Sequence, residues 1–391
     1  MTNQTNNFDQ SLPILSLMPY SDILYDNLSL TLESILSLSS TWNRTDLFVP
    51  SEESIILRRH PILYGTAIYA LLLLIVGTIG NILTIIILSR PNLRRHTTMR
   101  YFIAVAIADL CSLYSWNLNL FYKHLINRYQ NDLEDASIIS CRLVSFIAFV
   151  SLQLSSWYLT LVSVDRCLSI HFLFWRRQLG RVSHSIYIIL SVTIIIIFLN
   201  IHLLFLNGYK ISNCIPYGKR TCFKCYACLN DKYYIFPKWE TVHVIVYNLI
   251  PLFIMLISAY FMIRRSQSSH RRQRTLSIDG RSNSLSSNDR RNKHRQLTCV
   301  LISLILLFAF LTTPVMIYNV FLRNHLVNRK PLKYIVQGIL LCKQFTHHAI
   351  NFFVYSYGSS MFRRELHEFF STCTRKTNYN INQSRASQHM F

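Results

Sequence analysis

Charged side chains are scarce in this sequence. Only 15% of its 391 residues are Asp, Glu, Lys or Arg, whereas 51% are hydrophobic, and the mean hydropathy is +0.26. In an ordinary soluble domain about a quarter of the residues are charged. The composition therefore excludes a typical soluble protein and indicates a chain that lies largely in a membrane.

Several chemical signatures are also missing. The sequence contains no set of nucleophile and base residues and no constellation of metal ligands, so no enzymatic activity is predicted. It has no repeated halves and no paired acids within its apolar stretches, which argues against a transporter or a channel. The first residues lack the basic start of a cleavable signal peptide, so the first membrane span is expected to act as the signal anchor.

Seven apolar stretches are long enough to cross a bilayer, which takes about 20 mostly apolar residues in a helix. Because backbone groups in lipid must be hydrogen-bonded within the chain, each stretch is predicted to be a helix. They cover residues 63–89, 98–122, 140–168, 183–206, 241–264, 297–322 and 332–357. The predicted fold class is all-α and integral to the membrane.

Acidic residues are fewer than basic ones, 18 against 40. The basic residues cluster after the first, third, fifth and seventh stretches, and the positive-inside rule places those segments in the cytoplasm. The N-terminus is then extracellular and the C-terminus cytoplasmic, in a multi-pass protein of the plasma membrane. Acceptor sequons for glycosylation lie in the outer tail at Asn3, Asn27 and Asn43. Topology explains the positive charge, and no nucleic-acid partner is expected.

Short motifs lie at defined depths in the apolar stretches. The third stretch has Cys141 at its outer end and Asp165-Arg166-Cys167 at its inner end. The others contain Gly80-Asn81, Ala106-Ile107-Ala108-Asp109-Leu110, Pro251, Phe308, Pro314 and Asn351-Phe352-Phe353-Val354-Tyr355, and Phe362-Arg363-Arg364 follows the seventh. In the order of these motifs, in the side of the membrane on which each lies and in the spacing between them, residues 65–372 resemble the rhodopsin-like G-protein-coupled receptors.

This resemblance implies a seven-transmembrane helix bundle with a short amphipathic eighth helix. The predicted organisation is an extracellular tail at 1–62, the bundle at 63–357, the eighth helix at 358–372 and a cytoplasmic tail at 373–391. The inner loop at 265–296 is rich in Ser and Arg and nearly free of apolar residues, so it is expected to be disordered.

The resemblance also assigns residues to coupling. Asp165, Arg166, Phe174 and Tyr355 are expected to couple the receptor to a heterotrimeric G protein, with arrestin and receptor kinases as further partners. In the resting state Arg166 should pair with Asp165. The acidic partner that some relatives carry on the sixth helix is missing at 294–296. The lock between the third and sixth helices should therefore be weak, and some ligand-free signalling is expected.

A second assigned site lies deep in the bundle. Asp109, Ser155 and Asn351 match the positions of an allosteric sodium site in the family, and Na⁺ is the only cofactor-like group expected. His347 and His348 stand just before Asn351, where the family usually has Asn or Ser. One interpretation is that they change the sodium affinity or add pH sensitivity. The other is that they are neutral, hydrogen-bonded core histidines.

The sequence also departs from the family pattern. Cys167 replaces the usual Tyr, Thr312 replaces a Trp that acts as a rotamer switch in many relatives, and Phe352 replaces a Pro. The fourth stretch has no Trp. Since proline removes a helix hydrogen bond, a gentler bend is expected in the seventh helix, and the switch in the sixth helix must differ.

The family pattern gives Cys141 a disulfide partner in the second outer loop. Cys228 is the first choice and Cys225 the second, by their distance from Pro251 in the sequence. A metal site at Cys222-x-x-Cys225-x-x-Cys228 is the less favoured reading, because an extracellular location favours disulfides. Two modifications are predicted on the inner side. They are phosphorylation of Ser277, after a run of arginines, and palmitoylation of Cys373, which could equally stay a free thiol.

The ligand class is inferred from absence as well as presence. Ala148 occupies the position where receptors for biogenic amines carry an aspartate, so an amine ligand is not expected. Polar side chains line the upper walls instead, at Trp116, Gln153, His243, Tyr247, Tyr318, Asn319 and Gln337. These residues favour an extracellular peptide, and the chain resembles invertebrate neuropeptide receptors of the FMRFamide-like group. The alternatives are a non-peptide ligand and an opsin-like photoreceptor. The retinal-lysine position of an opsin corresponds to Phe345, two residues from Lys343.

Overall fold

The computed structural model describes residues 60–126, 133–172, 175, 182–212, 221–225, 238–278, 285–323, 325–326, 329–372 and 374. Six helices in this part of the chain are long and apolar enough to cross a membrane: α1 Pro61–Leu88, α2 Thr97–Ile126, α3 Ile138–His171, α4 Ser183–Leu206, α5 Glu240–Ser268 and α6 Arg295–Leu322. Helix α7 is Lys330–Gly358, and α8 covers residues 360–372. All seven predicted stretches are therefore helical.

Phe174, Cys228, Cys373 and the three sequon asparagines lie outside the described residues. Helix α7 is not among the six helices above, and polar side chains lie along its middle, at Lys343, Gln344, His347, His348 and Asn351. Large apolar side chains elsewhere point away from the core, as shown by Phe198 (70% exposed) and Phe253 (66% exposed). In a bilayer these lipid-facing sides of the helices contact lipid tails, so the exposure of their apolar side chains carries no penalty.

Polar residues hold the middle of the bundle together, and small ones let the helices approach. A Cβ atom added at Gly80 in α1 would lie 3.0 Å from the Cβ of Phe352 in α7. Asn81 lies beside it, and its amide donates to the backbone carbonyl of His348 at 2.9 Å. Glycine at position 80 therefore sets how close α1 comes to α7, as small residues do between membrane helices.

Where the structure describes α2, α5 and α6, four π-helical turns interrupt the outer halves of these helices. They are Leu113–Asn117 and Tyr122–Ile126 in α2, Ile245–Leu249 in α5 and Tyr318–Leu322 in α6. Ser115, in the first of them, has φ −98° and ψ −105°, outside the helical range. A π turn inserts one extra residue and rotates the side chains beyond it, and such turns are frequent at functional sites. Four predicted ligand residues lie in these turns: Trp116, Tyr247, Tyr318 and Asn319.

The described part of the inner loop is helical, in contrast to the predicted disorder. The helix of α5 continues to Ile278, and that of α6 already begins at Leu285. Arginine and glutamine are good helix formers, and the first glycine of the loop is Gly280. Low hydrophobicity therefore does not prevent these segments from extending the two membrane helices inward. Ser277 lies in the last turn of the α5 extension.

A hairpin covers part of the outer surface. Strands β1 (Tyr209–Ser212) and β2 (Thr221–Lys224) pair in antiparallel fashion, with Tyr209 opposite Lys224. Gly208, between α4 and β1, has φ +78°, a left-handed conformation that glycine adopts at no steric cost. The chain therefore turns sharply from the end of α4 into the hairpin.

Candidate functional site

The hairpin is bonded covalently to α3. Cys141 forms a disulfide with Cys225, with a Cα–Cα distance of 5.8 Å. The prediction of Cys228 as the partner was wrong, because it used distance along the sequence. The pairing of the strands decides which cysteine returns to α3, and Cys225 directly follows the last residue of β2. The side chain of Asn207 donates to the Cys141 carbonyl at 3.5 Å, which adds a contact at the same point.

Three of the predicted ligand residues, Gln153, His243 and Tyr247, belong to a buried network that joins four helices. Gln153 in α3 lies 3.1 Å from His243 in α5 and accepts a 2.7 Å hydrogen bond from Asn200 in α4. His243 stacks on Tyr247 at 5.1 Å between ring centroids, and the Tyr247 hydroxyl accepts from Gln344 in α7 at 3.2 Å. All five side chains are buried. A ligand that reached this level would have to exchange these internal hydrogen bonds for its own.

The other predicted ligand residues lie nearer the outer surface. The Trp116 indole donates to Glu134 at 2.9 Å, and the Tyr318 hydroxyl donates to a backbone carbonyl in the first turn of α7 at 3.1 Å. Asn319 has a buried side-chain oxygen without a hydrogen-bond partner among the described residues. Gln337 is half-buried. The structure thus divides the seven residues into a deep network and an outer group.

The predicted sodium residues converge on Asp109, which is fully buried in α2. Ser155 donates to Oδ1 of Asp109 at 2.6 Å, and the Asn351 amide donates to Oδ2 at 2.6 Å. A fourth residue takes part, because Nδ1 of His348 lies 2.7 Å from Oδ1. Asp109 is therefore surrounded by hydrogen-bond donors from α3 and α7.

Thr312 occupies the place of the missing tryptophan and joins α5 to α6. Its hydroxyl accepts a 2.9 Å hydrogen bond from the Asn248 side chain and donates to the Phe308 carbonyl at 2.7 Å. Thr312, Asn248 and Phe308 are all fully buried. At this depth a hydrogen bond between two helices stands where many relatives have an indole.

The predicted ion pair at the inner end of α3 is present. Nη2 of Arg166 lies 3.4 Å from Oδ2 of Asp165, and the Trp175 indole donates to the other carboxylate oxygen at 3.3 Å. In the turn before α2, the pKa of His96 is lowered below its usual range, first by desolvation and second by the positive charge of Arg166. Tyr355, the fourth predicted coupling residue in this region, is buried with its ring 4.8 Å from that of Phe102.

Among the described residues, hydrogen bonds tie the inner end of α6 to α8. Oε1 of Gln296 accepts hydrogen bonds from the backbone N–H of Ser360 at 3.1 Å and from its hydroxyl at 2.6 Å. Helix α8 is held in turn by the first inner turn, where Arg90 pairs with the buried Glu365 at 3.2 Å and Asn92 donates to Glu365 at 2.9 Å. These contacts hold α8 against the inner end of α6 and against the turn between α1 and α2.

Comparison with known proteins identifies the fold. Residues 80–355 match the model of the 7 transmembrane receptor (rhodopsin family). The chain belongs to this family. It is a multi-pass membrane receptor of the class that couples to G proteins, and it shares the family's seven-helix bundle.

Its relatives are distant. G-protein coupled receptor E1 of Equine herpesvirus 2 (strain 86/87) is 25% identical over 77% of this chain and 73% of its own length. C-C chemokine receptor type 1 of Macaca fascicularis is 19% identical over 82% and 81% of the two chains. Probable G-protein coupled receptor 34 of Mus musculus is 25% identical over 51% and 50%.

Several residues at these sites were not assigned a role from the sequence. Trp175, Gln296 and Ser360 carry no motif, and their roles depend on how loops and helix ends meet in space. Glu240 was also missed, although it is an acid at the outer end of α5 and pairs at 2.9 Å with Arg323, which directly follows α6. An acid at a membrane boundary is a sequence signal that could have revealed Glu240.

Proposed function

We propose that this receptor is activated by an extracellular peptide and signals through a heterotrimeric G protein at the plasma membrane. The observation that carries the proposal is the hairpin held to α3 by the Cys141–Cys225 disulfide. A two-stranded sheet has unpaired backbone groups along both of its outer edges, and an extended peptide can add to such an edge. The tether keeps that edge at the outer end of the bundle, above the deep network.

The chemistry of the outer half supports a peptide over an amine. Ala148 is fully buried in α3, so an ammonium group at this depth would meet an apolar side chain. The one acid at the outer end of α5, Glu240, is already paired with Arg323. The deep network of Gln153 and His243 instead offers neutral donors and acceptors, which suit peptide amides.

An opsin-like function has no support from the position of Lys343. Its ammonium lies 3.8 Å from the ring centroid of Phe310 in α6, a side chain that is 66% exposed. Phe345, at the position that corresponds to the retinal lysine, is fully buried. Lys343 therefore faces the outside of the bundle at α6, where no interior ligand would reach it.

Within the peptide class, an amidated peptide of the FMRFamide-like kind is our first candidate, because of the resemblance in the seventh helix. The name of one relative points to another candidate, since it is C-C chemokine receptor type 1. A ligand of that kind would use the same hairpin. Both kinds of ligand are therefore tested in the same screen, described below.

For signal transfer we propose a movement of α6. A ligand seated on the outer group near Tyr318 would shift the outer half of α6, and Pro314 inside that helix lets its two halves move separately. The inner end of α6 would then leave α8, and Arg166 would separate from Asp165 to contact the G protein. Tyr355, buried in the resting arrangement, would move into the space that α6 leaves.

The experiment is a screen of amidated neuropeptides and chemokines on cells that express the receptor, read by activation of each G-protein class. The control is Arg166→Ala at matched surface amount, which should bind the active peptide without activating the G protein. A peptide whose response disappears in Cys225→Ser but persists in Cys222→Ser would support the role of the tethered hairpin. Activation by a small amine, with no response to any peptide or chemokine, would overturn the proposal.

A further inference from the structure

The donors around Asp109 leave little room for a cation. A carboxylate has two oxygens with about two lone-pair directions each. In Asp109 both directions at Oδ1 are taken, by Ser155 at 2.6 Å and His348 at 2.7 Å. The Asn351 amide occupies one direction at Oδ2, also at 2.6 Å. A hard cation is bound by oxygen lone pairs, and here N–H and O–H groups point at the carboxylate instead. The residues that are present do not fit a sodium ion.

His348 is the residue that the predicted sodium site did not include. It contacts more helices than Ser155 or Asn351, the two predicted partners of Asp109. Its ring contacts Asp109 of α2 and lies 3.5 Å from the Ser155 hydroxyl of α3. Its backbone carbonyl accepts from Asn81 of α1 at 2.9 Å. Both the His348 and the Asp109 side chains are fully shielded from solvent. One residue of α7 thus connects three other helices at mid-membrane.

From this geometry we infer that His348 replaces the sodium ion as the partner of Asp109. A buried carboxylate is costly without a compensating partner, and in this receptor the partner is part of the chain. The imidazole holds α7 against α2 and α3 in the resting arrangement. The stability of that arrangement therefore does not depend on the sodium concentration, which makes the resting state independent of the salt outside the cell.

The test is thermal melting of the full-length receptor in lipid nanodiscs. Sodium chloride is compared with N-methylglucamine chloride at an ionic strength of about 0.15 M. The wild type should melt at the same temperature in both salts. His348→Asn removes the ring and places an amide oxygen beside Asp109, so it should create a sodium site. Its melting temperature should then rise with sodium in a saturable way, by at least about 2 °C.

Two variants locate the effect. His347→Asn is the matched control, since His347 is also fully buried but its ring packs on Phe308 at 5.3 Å. It should show no sodium response, because His348 still covers Asp109. Adding Asp109→Asn to His348→Asn should abolish the gained response, because the carboxylate that binds the ion is gone.

Two results would overturn the inference. One is a sodium-dependent rise in the wild type that Asp109→Asn removes, and this measurement decides the matter even if His348→Asn does not fold. The other is a set of variant responses that does not single out His348: either His348→Asn melts cooperatively without any sodium response, or His347→Asn responds equally. In either of those cases the imidazole of His348 is not what keeps the ion out.

Discussion

The contact between Gln296 and Ser360 should restrain the receptor in its resting state. Two hydrogen bonds share the Gln296 oxygen, at 3.1 Å from the Ser360 backbone and 2.6 Å from its hydroxyl. One hydrogen bond contributes about 0.5–1.5 kcal/mol net, and an outward movement of α6 would break both. Ser360→Ala should therefore favour the active arrangement by about 1 kcal/mol, or about fivefold, and Gln296→Ala by about 2 kcal/mol, or about thirtyfold.

The assay is ligand-free nucleotide exchange on the G protein, measured in membranes with matched amounts of receptor. Ser371→Ala is the control, because Ser371 is also in α8 and its hydroxyl lies 3.5 Å from His367, one turn earlier in the same helix. Exchange should increase in the order wild type and Ser371→Ala, then Ser360→Ala, then Gln296→Ala. The exchange rate can rise by these full factors only if a small fraction of the wild-type receptor is active, because the active fraction cannot exceed one.

Ligand-free exchange at the wild-type rate in both Ser360→Ala and Gln296→Ala would refute the reasoning, provided that surface amounts match. The sequence alone predicts some ligand-free signalling, since the acidic partner of Arg166 is missing from α6. The contact between Gln296 and α8 should instead lower ligand-free signalling, because it holds α6 in the resting position. The basal rate of the wild type therefore measures the balance between a weak lock at α3 and a second one at α8.

Three further predictions concern coupling, the tether and the core. Arg166→Ala should nearly abolish G-protein activation while agonist binding persists, as measured by exchange and by radioligand binding at matched expression. Cys225→Ser should lower stability by about 2–4 kcal/mol by opening the disulfide, whereas Cys228→Ser should leave the non-reduced peptide map of the α3 tether unchanged. Thr312→Val leaves the buried Asn248 amide without its partner, so it should cost about 1–3 kcal/mol and lower the melting temperature by several degrees.

The sequence predicts the helices well because the bilayer constrains them strongly. A span must be long enough to cross the hydrocarbon and must satisfy its own backbone, so hydropathy alone locates it. The predicted stretch at 183–206 and the helix Ser183–Leu206 have the same limits. Deep polar residues are similarly informative, since an acid such as Asp109 in an apolar stretch needs partners from other helices.

The rest depends on geometry that hydropathy does not contain. The choice of Cys225 over Cys228 follows from the pairing of two strands of only four residues each, and a pattern that short does not fix the register. The π turns rotate Trp116 and Tyr318 relative to a regular helix, so helical spacing alone misplaces them. Trp175 donates to Asp165 from ten residues further along the chain, a contact that the spacing of side chains on α3 does not predict.

Where the chain lacks a residue typical of its family, a hydrogen bond between two helices can take the place of the missing contact. At two of them, Thr312 and His348, the structure has a hydrogen bond between helices, to Asn248 and to Asp109 respectively. In a dry interior these bonds cannot be exchanged for water, so breaking them is costly unless new partners form. If His348 replaces the sodium ion as proposed above, we expect activation to rearrange these polar pairs. For this reason a tryptophan at position 312 would not restore the family's switch, because it would leave Asn248 without its acceptor in the resting bundle.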